Sequence, residues 1–307
     1  MPDDSAPPGR LTAQDDLEAM ARTLEASGRF KVLRRLDAVT HLHAGDLAAC
    51  RLGLMLDLET TGVDPRRDEI IEFALTPFHY DGEGRIVSVD EAFSRLRQPA
   101  QPIPPEITRI TGITDAMVAG QTVDPAEVSA FIAPAALIIA HNAQFDRRFA
   151  EAFSPAFALK PWACSMSQID WRAEGYEGTK LSYLATQGGF FHAGHRATND
   201  CLATLEVLAA PLPIGGVTGL ARLLQSARRA SWRIWAENSP FDLKDVLKAR
   251  GYRWNGDPGP APKAWYIDVD EADREAEVAF LRAEIYRGEI DPLMRRITAF
   301  ERFSERA

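Results

Sequence analysis

The chain has 307 residues and a net charge of −9, from 35 Lys and Arg against 44 Asp and Glu. Its length carries a catalytic core plus a smaller module, and 46% hydrophobic with 26% charged residues excludes a fibrous or disordered chain. The acidity argues against non-specific attraction to a polyanion. Three scattered cysteines argue against a disulfide framework or a Cys-x-x-Cys zinc site, and the short apolar runs against a membrane span.

The opening "MPDDSAPPGR" is acidic and Pro-rich, without the basic and apolar regions of a leader, so a soluble cytoplasmic protein is expected. Residues 11–36 carry apolar positions at helical spacing up to Ser27 and Gly28 and predict a helix and then a short strand. Residues 1–50 thus read as an N-terminal extension. From Arg51 the pattern changes: "LGLMLDL", "EIIEFALTPFHY" and, after a "DGEG" turn, "RIVSVDEAFSRLR" predict three antiparallel strands. A Pro-rich loop then enters short helices. "VDPAEVSAFI" predicts a helix, "ALIIAHN" a short buried strand and "AQFDRRFAEAF" another helix. "KLSYLATQGG" and "ATNDCLATLEVLAA" add two more. Strands that begin antiparallel and then alternate with helices predict an α/β domain with a mixed sheet over 51–210.

"PLPIGG" at 211–216 marks a boundary, and 215–307 reads as a small α+β module of unassigned role. The charge balance changes there, from 13 basic against 21 acidic residues in 51–210 to 8 against 4 in 215–260. "VTGLARLLQSARRASWRIWAE" predicts a helix, "DLKDVLKARG" a short helix closed by Gly251, and "YRWN" and "AWYIDV" two strands. "DEADREAEVAFLRAEIY" predicts a charged helix. Trp232, Trp235, Tyr252 and Trp254 interleave with Arg233, Lys244, Lys248, Arg250 and Arg253, a composition that serves a small core more simply than it serves contact with bases and phosphates.

The most hydrophobic strand ends in two carboxylates, Asp57 and Glu59. At i and i+2 they project from one face, where two oxygens can share a hard cation; burying them without compensation is expensive. Asp146 follows a second strand, in the first turn of a helix where the dipole favours an anion. Asp200 stands early on another helix, five residues after His195. Acids brought together in this way suit phosphodiester hydrolysis, in which paired cations neutralise the scissile phosphate and magnesium needs only a few protein carboxylates. An imidazole that titrates near neutrality can take the proton of the attacking water, and His195 is the candidate. His192 has no motif role and reads as structural. The adjacent Arg147 and Arg148 read as solvated.

"LDLETTG", "HNAQFD" and "HRATND" resemble the three motifs of the DEDDh 3'-5' exonuclease family, within the ribonuclease-H-like superfamily, and "DEIIEFAL" and "ITGITDAMV" match further phrases of it. The likeness covers about Leu52 to Ala210. It implies a mixed five-stranded sheet flanked by helices, and release of nucleoside 5'-monophosphates from a 3' end with two Mg2+ or Mn2+ ions. It implies Asp57, Glu59, Asp146 and Asp200 as metal ligands and His195 as general base beside the substrate, with Thr60 and Glu59 by the terminal 3'-hydroxyl; Asn142 reads either as a substrate-positioning residue or as part of a turn. The implied partners are DNA 3' ends, with RNA as the alternative, and a DNA polymerase subunit; a non-catalytic nucleic-acid-binding subunit is the rival reading. The chain departs from the replicative proofreading pattern in having no clamp-binding peptide after the catalytic block and no short polymerase tether.

Overall fold

The computed structural model describes residues 13–256 and 261–306, so the opening "MPDDSAPPGR" lies outside the described residues. α1 (Ala13–Ala26) and β1 (Arg34–Arg35) precede β2 (Arg51–Thr60), β3 (Ile70–Tyr80), β4 (Ile86–Val89) and β5 (Phe93–Leu96). Three helices follow, α2 (Pro105–Thr111), α3 (Asp115–Val118) and α4 (Pro125–Ile132). The chain continues through β6 (Leu137–Ala140), α5 (Ala143–Phe153), β7 (Trp162–Cys164), α6 (Leu181–Gln187), β8 (Phe190–Phe191), α7 (Ala197–Ala209) and α8 (Gly219–Ala227). The remainder comprises β9 (Ser231–Ala236), α9 (Lys244–Ala249), β10 (Arg253–Trp254), β11 (Trp265–Asp270), α10 (Arg274–Phe280) and β12 (Met294–Ile297).

The main sheet runs β4-β3-β2-β6-β7, with β5 also on β3. β2, β3, β4 and β5 pair antiparallel, and β6 and β7 join β2 in parallel, which is the expected mixed α/β sheet. Five strand positions hold six strands, because the strand expected over 85–97 is broken in two. The break lies opposite Pro77, which has no N–H to give to a neighbouring strand; Asp90 N–H donates to the Pro77 carbonyl at 2.9 Å and the pairing resumes at Phe93.

β2 is buried on both faces, which is why it reads as an unbroken apolar run. Leu54, Leu56 and Leu58 pack with Phe73, Val128, Phe149 and Trp162 on the side of α4 and α5, while Met55 packs with Ile139, Cys201 and Leu205 on the side of α7. A Cβ at Gly53 would sit 2.3 Å from the Phe78 ring, so glycine lets that ring cross β2. Asp57 and Glu59 continue the row of Met55, so the alternation of the strand carries them to the face that α7 covers.

The second body is an antiparallel sheet, β10-β11-β9-β12, with α9 and α10 on one face. β9 corrects the reading of 217–237 as one helix. The helix stops at Ala227, and in "SWRIWA" Ile234 and Ala236 enter this second core while Arg233 and Trp235 face away from it. The "PLPIGG" segment is a turn within the first body rather than its end, since Leu220, Leu223, Leu224 and Ala227 of α8 complete the core under the main sheet. The chain also returns there at its other end: Phe303 packs beside the core on the α5 side, and Trp162 N–H donates to the Ala299 carbonyl at 2.8 Å.

Candidate active site

Asp57, Glu59 and Asp200 offer carboxylate oxygens that all lie within 4.8 Å of one another. Strand alternation puts the first two on the face under α7, and α7 brings Asp200 from 140 residues away in its first turn. Asp146 is buried in the first turn of α5, at 3% exposure, and stands beside β2 with the Leu58 backbone hydrogen-bonded to its carboxyl group. It lies outside the 4.8 Å set yet close enough that its charge acts on Asp57. The expected four acids are therefore assembled as a close three and a buried neighbour.

The electrostatics are those of a site short of positive charge. Burial, and then the charges of Asp146, Asp200, Glu59 and Glu72, hold the Asp57 carboxyl well above the usual carboxylate range. Burial followed by Asp200 and Glu72 pushes Glu59 up to about 8, with Arg196 opposing. Asp146 also rises to about 8, through burial, against two backbone hydrogen bonds that lower it. An all-oxygen donor set of this kind fits a hard divalent cation, whose charge would relieve the repulsion.

The other expected residues are disposed unevenly. His195 is exposed, on the loop between β8 and α7, with φ 61°. A non-glycine residue in that left-handed region carries about 1–2 kcal/mol of strain. Asn142 is exposed at the start of α5 and its side chain makes no cap hydrogen bond. The Thr60 hydroxyl donates to the Gly62 carbonyl at 2.5 Å, which ties it into the turn after β2.

Two residues that the sequence reading gave no catalytic role, His192 and Glu72, support the site, and a third, Arg147, anchors the chain segment at 299–302. His192 is 2.9 Å from Asp200 through Nε2 and Oδ1, with a side chain only 6% exposed, while the other Asp200 oxygen accepts from the Arg196 N–H. Glu72, buried at 2%, faces Glu59 across the β2–β3 pair; it accepts the Ala197 N–H at 3.0 Å and grips the Arg196 guanidinium. It thereby caps the first turn of α7, and a lone acid inside "IIEFAL" was the signal for it. Arg147 corrects the solvated reading. Its side chain is fully buried, donates to the carbonyls of Ala299, Phe300 and Arg302, and pairs with Glu151 at 2.6 Å.

Among the described residues, no helix is long and apolar enough to cross a membrane. Residues 54–208 match the RNase T exonuclease family model. The DNA polymerase III epsilon subunit of Treponema pallidum is 32% identical over 160 residues, covering 49% of this chain and 72% of that one. The 3'-5' exonuclease DinG of Bacillus subtilis is 32% identical over 190 residues, 56% of this chain and 19% of the relative. Among solved structures, an exonuclease X complex with 5'-overhanging duplex DNA is similar at 23% identity and a TM-score of 0.39, over 55% of this chain and 99% of that one. With two carboxylates of its central strand met by a third from α7, and half its length matched by the family model, the chain belongs to the exonuclease family.

Proposed function

We propose that the chain is a metal-dependent 3'-5' exonuclease that releases nucleoside 5'-monophosphates from DNA ends. The observation that carries this is the meeting of Asp57, Glu59 and Asp200 within 4.8 Å, with buried Asp146 close enough that its charge acts on Asp57. Direction and sugar rest on the relatives, one a DNA polymerase III subunit and another a 3'-5' exonuclease.

In this reading Asp57, Glu59, Asp146 and Asp200 hold two Mg2+ or Mn2+ ions, which when bound neutralise the scissile phosphate and stabilise the entering and leaving oxygens. His195 accepts the proton of the attacking water at a ring nitrogen. Its exposed, left-handed loop lets the imidazole swing over the acids once a 3' end is seated. Asn142, exposed at the head of α5 and not engaged in capping it, turns its amide to the terminal nucleotide, and Thr60 acts through the turn that its hydroxyl fixes. His192 and Glu72 orient the start of α7, so that Asp200 meets β2 in one position.

The test is a 3'-labelled single strand incubated with Mg2+, beside matched RNA, duplex and 3'-blocked substrates. Stepwise loss of mononucleotides from DNA, abolished by EDTA and by Asp57→Ala, is the expected result. Release from RNA alone would overturn the sugar assignment, and internal cuts in blocked strands would overturn the exonuclease assignment.

A further inference from the structure

A cavity of about 1370 Å3 lies between the second sheet and the catalytic body. Its lining reverses the charge of the chain: eight arginines and no lysine face five carboxylates, in a protein with 35 basic and 44 acidic residues. One wall is the sheet face turned away from α9 and α10, where Arg253, Tyr266 and Trp235 form a cross-strand row and Arg233 and Asp268 the next. The other wall begins with Gln144 and Arg148 on α5, and Gln144 stands two residues before Asp146. The cavity is thus lined by the same helix whose first turn carries Asp146.

The sheet wall is built to display guanidinium groups. Arg233 and Arg253 lie 4.5 and 5.0 Å from the Tyr266 ring centre and share a single carboxylate, Asp268, at 2.7 and 3.0 Å. Two guanidiniums on one carboxylate leave a net positive charge and spare N–H donors in a fixed array. Arg229 pairs with Asp270 where both side chains are about half exposed, at 62% and 48%, an ion pair weak enough to exchange for a phosphate. Arg172 is exposed on the same cavity. Pockets for drug-sized ligands run to about 300–1,000 Å3, so a larger, arginine-lined space suits an extended polyanion better than one small molecule. Guanidinium planes also stack on unpaired bases.

From this, and resting on the exonuclease reading, we propose that the groove binds the unpaired strand behind the 3' nucleotide being removed, with Arg172, Arg229 and Arg253 on its phosphates. The second body is then a strand-holding wall of the enzyme.

The test uses the full chain in EDTA, with binding of 5'-fluorescein-dT20 followed by anisotropy at several salt concentrations. The variant Arg172→Glu/Arg229→Glu/Arg253→Glu is expected to bind at least tenfold more weakly, with a salt slope smaller by about 2, at about 0.7 per phosphate contact for a single strand. The corresponding Arg→Gln triple variant should fall between, which guards against a collapsed groove in the Glu form. With Mg2+ restored, hydrolysis of the p-nitrophenyl ester of thymidine 5'-monophosphate, which is too small to reach the groove, should be unchanged in both. Unaltered affinity and slope in the Glu variant, or blunt duplex bound as tightly as dT20, would overturn the proposal. A wild-type protein inert toward the ester would sink the exonuclease reading instead, and the binding comparison would still decide the groove.

Discussion

Two histidines precede α7, and the structure separates what each should do. His192 is buried against an Asp200 oxygen, whereas His195 is exposed on a strained loop. Replacing an outer partner of a metal-binding carboxylate typically costs 10–100-fold in metal affinity. His192→Ala is therefore expected to weaken Mn2+ binding by about tenfold, read by calorimetry or Mn2+ spin resonance without substrate. His195→Ala should leave that affinity intact and lower kcat by about 10²–10⁴, the usual reach of general base catalysis. Lost Mn2+ affinity in His195→Ala would make His195 a ligand. The acids and His195 could be found in the sequence because each sits in a compact motif. His192 could not, because its partner lies eight residues on, across a turn, and only coordinates bring the two side chains together. Arg147 failed for the same reason at greater range: the carbonyls it serves stand more than 150 residues away, and a pair of adjacent arginines gives no sign of them.

At the scale of elements, the N-terminal extension is part of the support of the third motif. β1 adds in parallel to β8, and the segment after it runs to α7, where the Thr40 N–H and the His41 ring each reach Glu206 at 2.7 Å. Burial alone would raise Glu206, but the hydrogen bonds from Thr40 and His41 outweigh it and hold its carboxyl below the usual range. A depressed folded-state pKa contributes stability that is present above the unfolded value and is lost as pH falls through the folded one. Glu206→Gln is thus expected to destabilise the protein by about 1–3 kcal/mol at pH 7, the cost of spoiling a buried charged hydrogen-bond site. The difference should shrink as pH falls below the carboxylate range. Denaturant midpoints of both proteins at neutral and acid pH check this, and equal midpoints at pH 7 would detach the extension from α7. Sequence found the long apolar or amphipathic elements well, and it failed where local pattern lost to context. β9 follows directly on α8 with an apolar-aromatic run that suits either state, and two-residue β8 exists only through its pairing with β1.

On the scale of the whole molecule, the fold gathers like charges in one place, and that gives the metal-free protein a definite pH profile. Burial and mutual repulsion hold Asp57 well above its ordinary range, and burial pushes Glu59 and Asp146 up to about 8. For a carboxyl group raised on folding, the native state keeps its proton between the unfolded and folded values while the unfolded chain has lost it. Stability therefore falls as pH rises through that window. Without metal the protein should be less stable at pH 8 than at pH 5 by this contribution. A divalent ion competes with those protons and should bind more tightly at the higher pH, where the carboxylates are free. At a free concentration about 100 times Kd, binding adds about 2.7 kcal/mol, or roughly 4 °C in Tm for a chain of this length. Scanning calorimetry in EDTA and in Mg2+ or Mn2+ at both pH values should show a small metal shift at pH 5 and a large one at pH 8. In Asp57→Asn/Glu59→Gln both the metal-free slope and the metal shift should shrink, because the variant no longer brings the repelling charges together. A wild-type protein whose Tm ignores metal at pH 8 would mean that the acids of β2, α5 and α7 repel one another without a cation to hold.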